Sequence, residues 1–150
     1  HIDGRNLLPL LSQPAARVRE ALPLFNFWGA QSAQSMAVVT PDWKYLYWYY
    51  GEGMTPTEEL FHVAHDRYEM KNLVASPAHR ETLATMRRHY DAELAAFKER
   101  VVKGHGYEPY PTLFSRAVGW EQKAELLKTL KPGPGGEGEA PERKKKKAAR

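Results

Sequence analysis

The residues that could do chemistry fall in three places. The first is His62-Val63-Ala64-His65-Asp66, where two imidazoles and a carboxylate lie within five residues. Such groups hold a metal when three or four converge in one geometry with outer hydrogen bonds behind them. On a strand, positions three apart face opposite sides. His62 and His65 therefore do not form a natural ligand pair, and the cluster reads as structural or solvated. The second place is Trp43 to Tyr50, six aromatic rings in eight residues. An exposed aromatic strand stacks sugars or bases, but such strands more often pack a sheet. The third is the run Lys144 to Lys147, suited to a polyanion or an acidic surface and more simply read as a solvated tail. There is no cysteine. A cysteine nucleophile, thiolate metal sites and disulfides are excluded.

These residues sit on recognisable elements. Residues 1–21 read as a connector. It opens with the Asp3-Gly4-Arg5 turn and runs through Leu7-Leu8-Pro9-Leu10-Leu11, where Pro9 argues against a clean helix. Residues 22–63 read as a small antiparallel sheet of three to four strands: Leu22 to Trp28, Ser35 to Thr40, Trp43 to Tyr50 and Glu58 to Val63. Pro41-Asp42 marks a turn between the second and third. On the third strand Trp43, Tyr45, Tyr47 and Tyr49 share one face, and Lys44, Leu46, Trp48 and Tyr50 share the other. Both faces are largely apolar, so this strand calls for cover on both sides. The chain supplies one good cover. Residues 77–101 carry Leu83, Met86, Tyr90, Leu94, Phe97 and Val101 at helical spacing. Ser76 and Pro77 are placed to start that helix, and Lys103-Gly104 to end it; its length is roughly 37 Å. That stripe would also suit a partner helix, but the chain's own sheet is the simpler cover. Residues 104–130 read as an extended, proline-fixed segment followed by a short helix with Leu126, Leu127 and Leu130 on one side. Residues 131–150 hold no aromatic and no Leu, Ile or Val, and read as a disordered basic tail.

The 150-residue length fits one domain. The fold class is α+β: a small sheet on one long helix, then the tail. No run approaches the ~20 apolar residues of a membrane span. The net charge of +4 comes from the tail; residues 1–130 are neutral and lack the global basic footprint of a nucleic-acid binder. The chain starts at His1 without a visible targeting segment, which leads us to expect a fragment or a processed product.

The order of pieces resembles the C-terminal region of the sulfatase family, within the alkaline-phosphatase-like superfamily. Family members show G-x-S-L-x-P-L-L, then R-x-V-R-T-x-x-x-K-Y-I, then E-L-Y-D-L-x-x-D-P-x-E-x-x-N-L leading into a helix. Here Asp3-Gly4-Arg5 and Leu7 to Leu11 come first. Ala37-Val38-Val39-Thr40 and Trp43-Lys44-Tyr45-Leu46 follow, then Glu59-Leu60-Phe61-His62-Val63 with Asp66, Glu69, Asn72 and Leu73. The likeness runs from about residue 3 to about residue 100. Asn6, His62 and Arg67 stand where the family usually has Ser, Asp and Pro, which bears on the subgroup.

The resemblance implies a short antiparallel sheet with one long helix across one face, the other face turned toward a large N-terminal catalytic domain. It implies hydrolysis of sulfate esters by that domain, using a formylglycine made from a C/S-x-P-x-R motif and a divalent cation of the calcium type. No such motif exists in this sequence; Ser12-Gln13-Pro14-Ala15-Ala16 does not fit. No catalytic, cofactor or metal residue is therefore assigned here, and this chain alone is expected to be inactive. Its expected role is structural and cleft-shaping, with the missing N-terminal domain and a sulfated substrate, often a carbohydrate in the family, as partners. Trp28, Trp48 and Tyr50 are the candidate rim of the substrate cleft. Two alternatives stand beside this reading: a stand-alone α+β binding module with a polybasic tail, and part of a phosphatase-type hydrolase on the same scaffold. An exported or a cytoplasmic location both stay open.

Overall fold

The computed structural model describes residues 4–27, 34–50 and 55–129. Four strands, β1 (Leu22–Asn26), β2 (Ser35–Val39), β3 (Lys44–Trp48) and β4 (Thr57–Phe61), form one sheet in the order β1-β2-β3-β4. Every neighbouring pair is antiparallel. The Pro41-Asp42 turn between β2 and β3 is closed from both sides: the Thr40 amide donates to the Trp43 carbonyl at 2.8 Å, and the Trp43 amide donates to Thr40 Oγ1 at 3.1 Å. This turn fixes the register Val38 opposite Tyr45 and Met36 opposite Tyr47, and with it the face each ring takes.

The long helix α2 (Arg80–Arg100) is preceded by a 3-10 turn, Pro77–His79, so the α-helical part starts three residues later than the spacing predicts. Proline fits the first position because its missing N–H would be unpaired there. Ser76 does not cap with its side chain; its hydroxyl lies 2.9 Å from His79 Nδ1 instead. Leu83, Met86 and Tyr90 of the stripe are buried against the sheet, and Phe97 packs its ring 4.6 Å from Phe25. The core is this contact: Met36, Val38, Tyr45, Tyr47 and Leu60 from the strands against Leu83, Met86 and Tyr90. A fully buried side chain of this size contributes about 1.5–3 kcal/mol.

Two short helices depart from the sequence reading. Helix α1 (Pro9–Ser12) forms inside the connector because Pro9 occupies its first turn, where proline costs nothing. It leaves Leu7, Leu8 and Leu11 exposed. Helix α3 (Tyr110–Leu113) replaces part of the expected extended path, again with a proline in the first turn. Phe114, just after it, is fully buried, and its carbonyl accepts a hydrogen bond from the buried Tyr90 hydroxyl at 2.8 Å. Helix α4 (Trp120–Thr129) follows, with Leu126 and Leu127 packed on the core. Leu130, the tail at 131–150 and Trp28 lie outside the described residues.

Candidate functional site

The side of the sheet away from α2 is where the strand pattern leaves apolar surface. Register places three rows across it: Leu22, Val39, Lys44 and Phe61; Leu24, Ala37, Leu46 and Glu59; Asn26, Ser35, Trp48 and Thr57. The centre is not open. Ala37, Leu46 and Phe61 are buried and form a small second cluster with Trp48 and Val63. Leu22 and Leu24 on the edge strand are 48% and 44% exposed. Position in the sheet explains the pattern: Leu22 and Leu24 lie on the edge strand β1, whereas Trp48 and Val63 pack over Ala37, Leu46 and Phe61.

Trp48 and Tyr50 form one end of that face. Their rings are parallel, with centroids 6.2 Å apart and 1° between planes. The Trp48 indole N–H donates to Glu59 Oε2 at 2.9 Å, which fixes the ring. Both side chains are half-buried. The arrangement is a flat, oriented aromatic pair with an acceptor beside it, chemically suited to a sugar face or to a packed protein surface.

The other end is built differently. Lys44 Nζ pairs with both Glu69 oxygens, at 2.8 and 2.6 Å, and this holds the 66–72 loop. Glu69 takes a φ of 55°, a left-handed conformation uncommon for its type. Asp66 accepts the Lys71 amide at 2.9 Å, and such backbone hydrogen bonds, led by those of Met70 and Lys71, hold its carboxyl below its ordinary value. Asn72 shields the open edge of β4: its Oδ1 accepts from the Leu60 and Val74 amides, both at 3.0 Å. The likeness of 59–73 to the family motif thus falls on residues that terminate the sheet.

His62 and His65 do not take the opposite sides expected of a strand: β4 ends at Phe61, and a turn in which the His65 amide donates to the His62 carbonyl at 3.0 Å brings the two rings edge-on at 4.4 Å, with His62 flat on Trp43 at 4.1 Å and 5°. The two imidazoles serve ring packing. Among the described residues no three His, Cys, Asp or Glu side chains are grouped to hold a metal ion.

Three polar features on the helix side lie outside the sequence reading. Glu58 accepts from the Tyr45 hydroxyl at 2.6 Å and from Arg87 Nε and Nη2 at 2.8 and 3.0 Å. Burial pushes the Glu58 carboxyl up, but the hydrogen bonds from Arg87 and Tyr45 outweigh it and leave it below its ordinary value. Arg116 grips Asp91 through both oxygens and lies over the Tyr45 and Tyr90 rings. Lys123 is fully buried; its Nζ donates to the Tyr47 hydroxyl at 2.5 Å and sits 4.6 Å from that ring's centroid. The spacing Trp120, Lys123, Leu127 was the available signal, since it puts Lys123 on the inward face of α4.

A solved structure of BT4656 in complex with its substrate D-glucosamine-2-N,6-O-disulfate matches this fold with a TM-score of 0.53 and 17% identity. The match covers 65% of this chain and 20% of that one, so this chain spans about a fifth of its neighbour's length. At this identity the likeness establishes the fold alone. No protein-family profile and no curated protein matches the sequence.

Proposed function

We propose that this chain is the C-terminal subdomain of a sulfatase-like enzyme that hydrolyses sulfate esters, with a structural and cleft-shaping role. The observation that carries the reading is the agreement of fold with a protein whose substrate is a doubly sulfated sugar, in a chain that also carries the ordered sulfatase-like segments from Asp3 to Leu73. That sulfated substrate favours sulfate over phosphate esters. The face bearing Leu22, Leu24 and Trp48 is the surface that would meet an N-terminal catalytic domain, and Trp48 and Tyr50 at its end are the residues that would contact a sulfated carbohydrate at the rim; the third candidate, Trp28, rests on the sequence alone.

The sequence does not fit the formylglycine, and the described residues do not fit the divalent cation, that such an enzyme uses. The sequence has no cysteine and no Ser-x-Pro-x-Arg, and the described residues hold no metal-ligand group. No chemical step is assigned to them.

The test is the intact mass of the native protein, with peptide sequencing upstream of His1. A much larger polypeptide bearing a Cys- or Ser-x-Pro-x-Arg segment, active on sulfate esters and silent when reduced to these 150 residues, supports the reading. Metal-dependent sulfatase turnover by the 150 residues alone refutes it, as does a native mass of 17.1 kDa. In the larger enzyme, Trp48→Ala and Tyr50→Ala should raise KM for a sulfated sugar; an unchanged KM removes both from the rim.

A further inference from the structure

At the opposite end of the sheet from Trp48 and Tyr50, the β2–β3 turn forms one wall of an open cleft. Arg5, Arg17 and Arg19 line it from the connector and His89 from α2, with Glu20 and Asp42 among them. Around a neutral fold this is a local concentration of guanidinium groups. The turn is closed by hydrogen bonds: beyond the Thr40–Trp43 pair, the Asp42 carbonyl accepts the Ala64 amide at 3.4 Å. Arg5 and Arg17 are exposed, and neither makes an ion pair or side-chain hydrogen bond among the described residues, although two carboxylates share the cleft. Arg87 and Arg116, by contrast, each grip a carboxylate with short hydrogen bonds. Arg5, Arg17 and His89 bring into one cleft the kinds of N–H donor that the oxygens of a tetrahedral oxyanion accept.

We infer that this cleft binds an oxyanion, the sulfate group of a sulfated sugar or free inorganic sulfate or phosphate. The site is independent of any hydrolytic activity and stands even if the chain belongs to no sulfatase. Glu20 and Asp42 oppose the anion electrostatically, and water reaches the cleft freely, so binding is weak, with a Kd on the order of millimolar for inorganic sulfate. It is also salt-sensitive.

The experiment is a titration of the 150-residue chain with sodium sulfate against sodium chloride at matched ionic strength, followed by the NMR resonances of the His89 ring and by calorimetry. Saturable sulfate binding should weaken about tenfold in the Arg5→Ser/Arg17→Ser variant, the loss of two charge-assisted contacts at an exposed site. It should tighten by about threefold in Asp42→Asn, which removes a competing charge. Both side chains changed in the first variant are exposed, so its fold is checked by circular dichroism. Sulfate binding that is identical in wild type and both variants means an adventitious ion only and overturns the site; so does the absence of saturable binding. D-glucosamine-2-N,6-O-disulfate binding more tightly than inorganic sulfate, with unsulfated glucosamine silent, identifies the sugar-borne group; equal affinity for inorganic sulfate and phosphate identifies a free oxyanion.

Discussion

Lys123→Met should raise stability at neutral pH, because the wild-type fold keeps a charge where water does not reach it. Lys123 is fully buried, and burial lowers its pKa from 10.5 to about 8. Below pH 8 the folded chain still carries the proton and bears the penalty. One pKa step corresponds to about 1.4 kcal/mol, so the gap amounts to about 3 kcal/mol. Methionine has similar reach and no charge. It leaves the Tyr47 hydroxyl without its 2.5 Å partner, a loss of about 1 kcal/mol. The net gain is about 1–2 kcal/mol, a rise in Tm of about 5 °C for a chain this size.

The pH dependence separates this cause from better packing. The folded pKa lies below the unfolded one, so between pH 8 and 10.5 the unfolded chain binds more protons. Wild-type stability must therefore rise with pH through that window. Above about pH 10 the buried tyrosines oppose it: burial pushes Tyr47 up to about 12, so the stability it lends is lost as the unfolded tyrosines ionise. The usable interval runs from about pH 7.5 to about pH 9.5, over which wild type should gain about 2 kcal/mol and the methionine variant should not. Urea unfolding followed by tryptophan fluorescence reads both curves. Parallel curves for the two proteins over that interval would refute the placement of the ammonium in the core.

Glu58→Gln should lower stability by about 1 kcal/mol, the loss of a charge-assisted partner to Arg87 at a site partly open to water. The wild-type carboxyl lies below its ordinary 4.5, so on acidification below pH 4.5 wild type should lose more stability than the glutamine variant, in which only the other lowered carboxyls, Asp66 among them, still titrate, as read by acid titration of circular dichroism. Asn72→Ala unpairs the Leu60 and Val74 amides at the β4 edge and should cost about 1–2 kcal/mol; hydrogen exchange at the Leu60 amide should accelerate more than exchange in β2. Tyr90→Phe removes the hydroxyl that holds the Phe114 carbonyl. It should cost about 1–2 kcal/mol and loosen the 110–118 segment in proteolysis without altering the sheet.

The parts legible in the sequence were those that repeat. The stripe from Leu83 to Phe97 recurs at helical spacing over four turns, so only a helix can bury it. The alternation from Trp43 to Tyr49 likewise assigned four rings to one face before any contact was known, and Tyr45, Tyr47 and Tyr49 are buried there. Glu58 and Glu59 show where this kind of reading stops. The pattern says that one of two adjacent glutamates must face α2, but Arg87 stands 29 positions further on. Nothing local announces a pairing at that distance. Helix α3 departs from the pattern for another reason: the prolines at 109 and 111 suit an extended path, but the start of a helix tolerates them equally.

The same logic bears on the candidate sites. The sequence pattern marks Lys44, Leu46, Trp48 and Tyr50 as an apolar second face, but which part of it stays open depends on strand position and on the neighbours that pack over it. Ala37 and Leu46 sit opposite each other in a buried cluster with Phe61 against which Trp48 and Val63 pack, while Leu22 and Leu24 on the edge strand are half-open to water. A partner seated on this face would therefore gain most along β1 and at Trp48, and little over the centre. Leu24→Asp, on the edge strand and away from the α2 core, would then spare the fold of these residues and weaken the binding of any partner on this face; Leu46→Asp, buried at the centre, would damage the fold itself. A reversed outcome would mean that the partner covers the centre of the sheet.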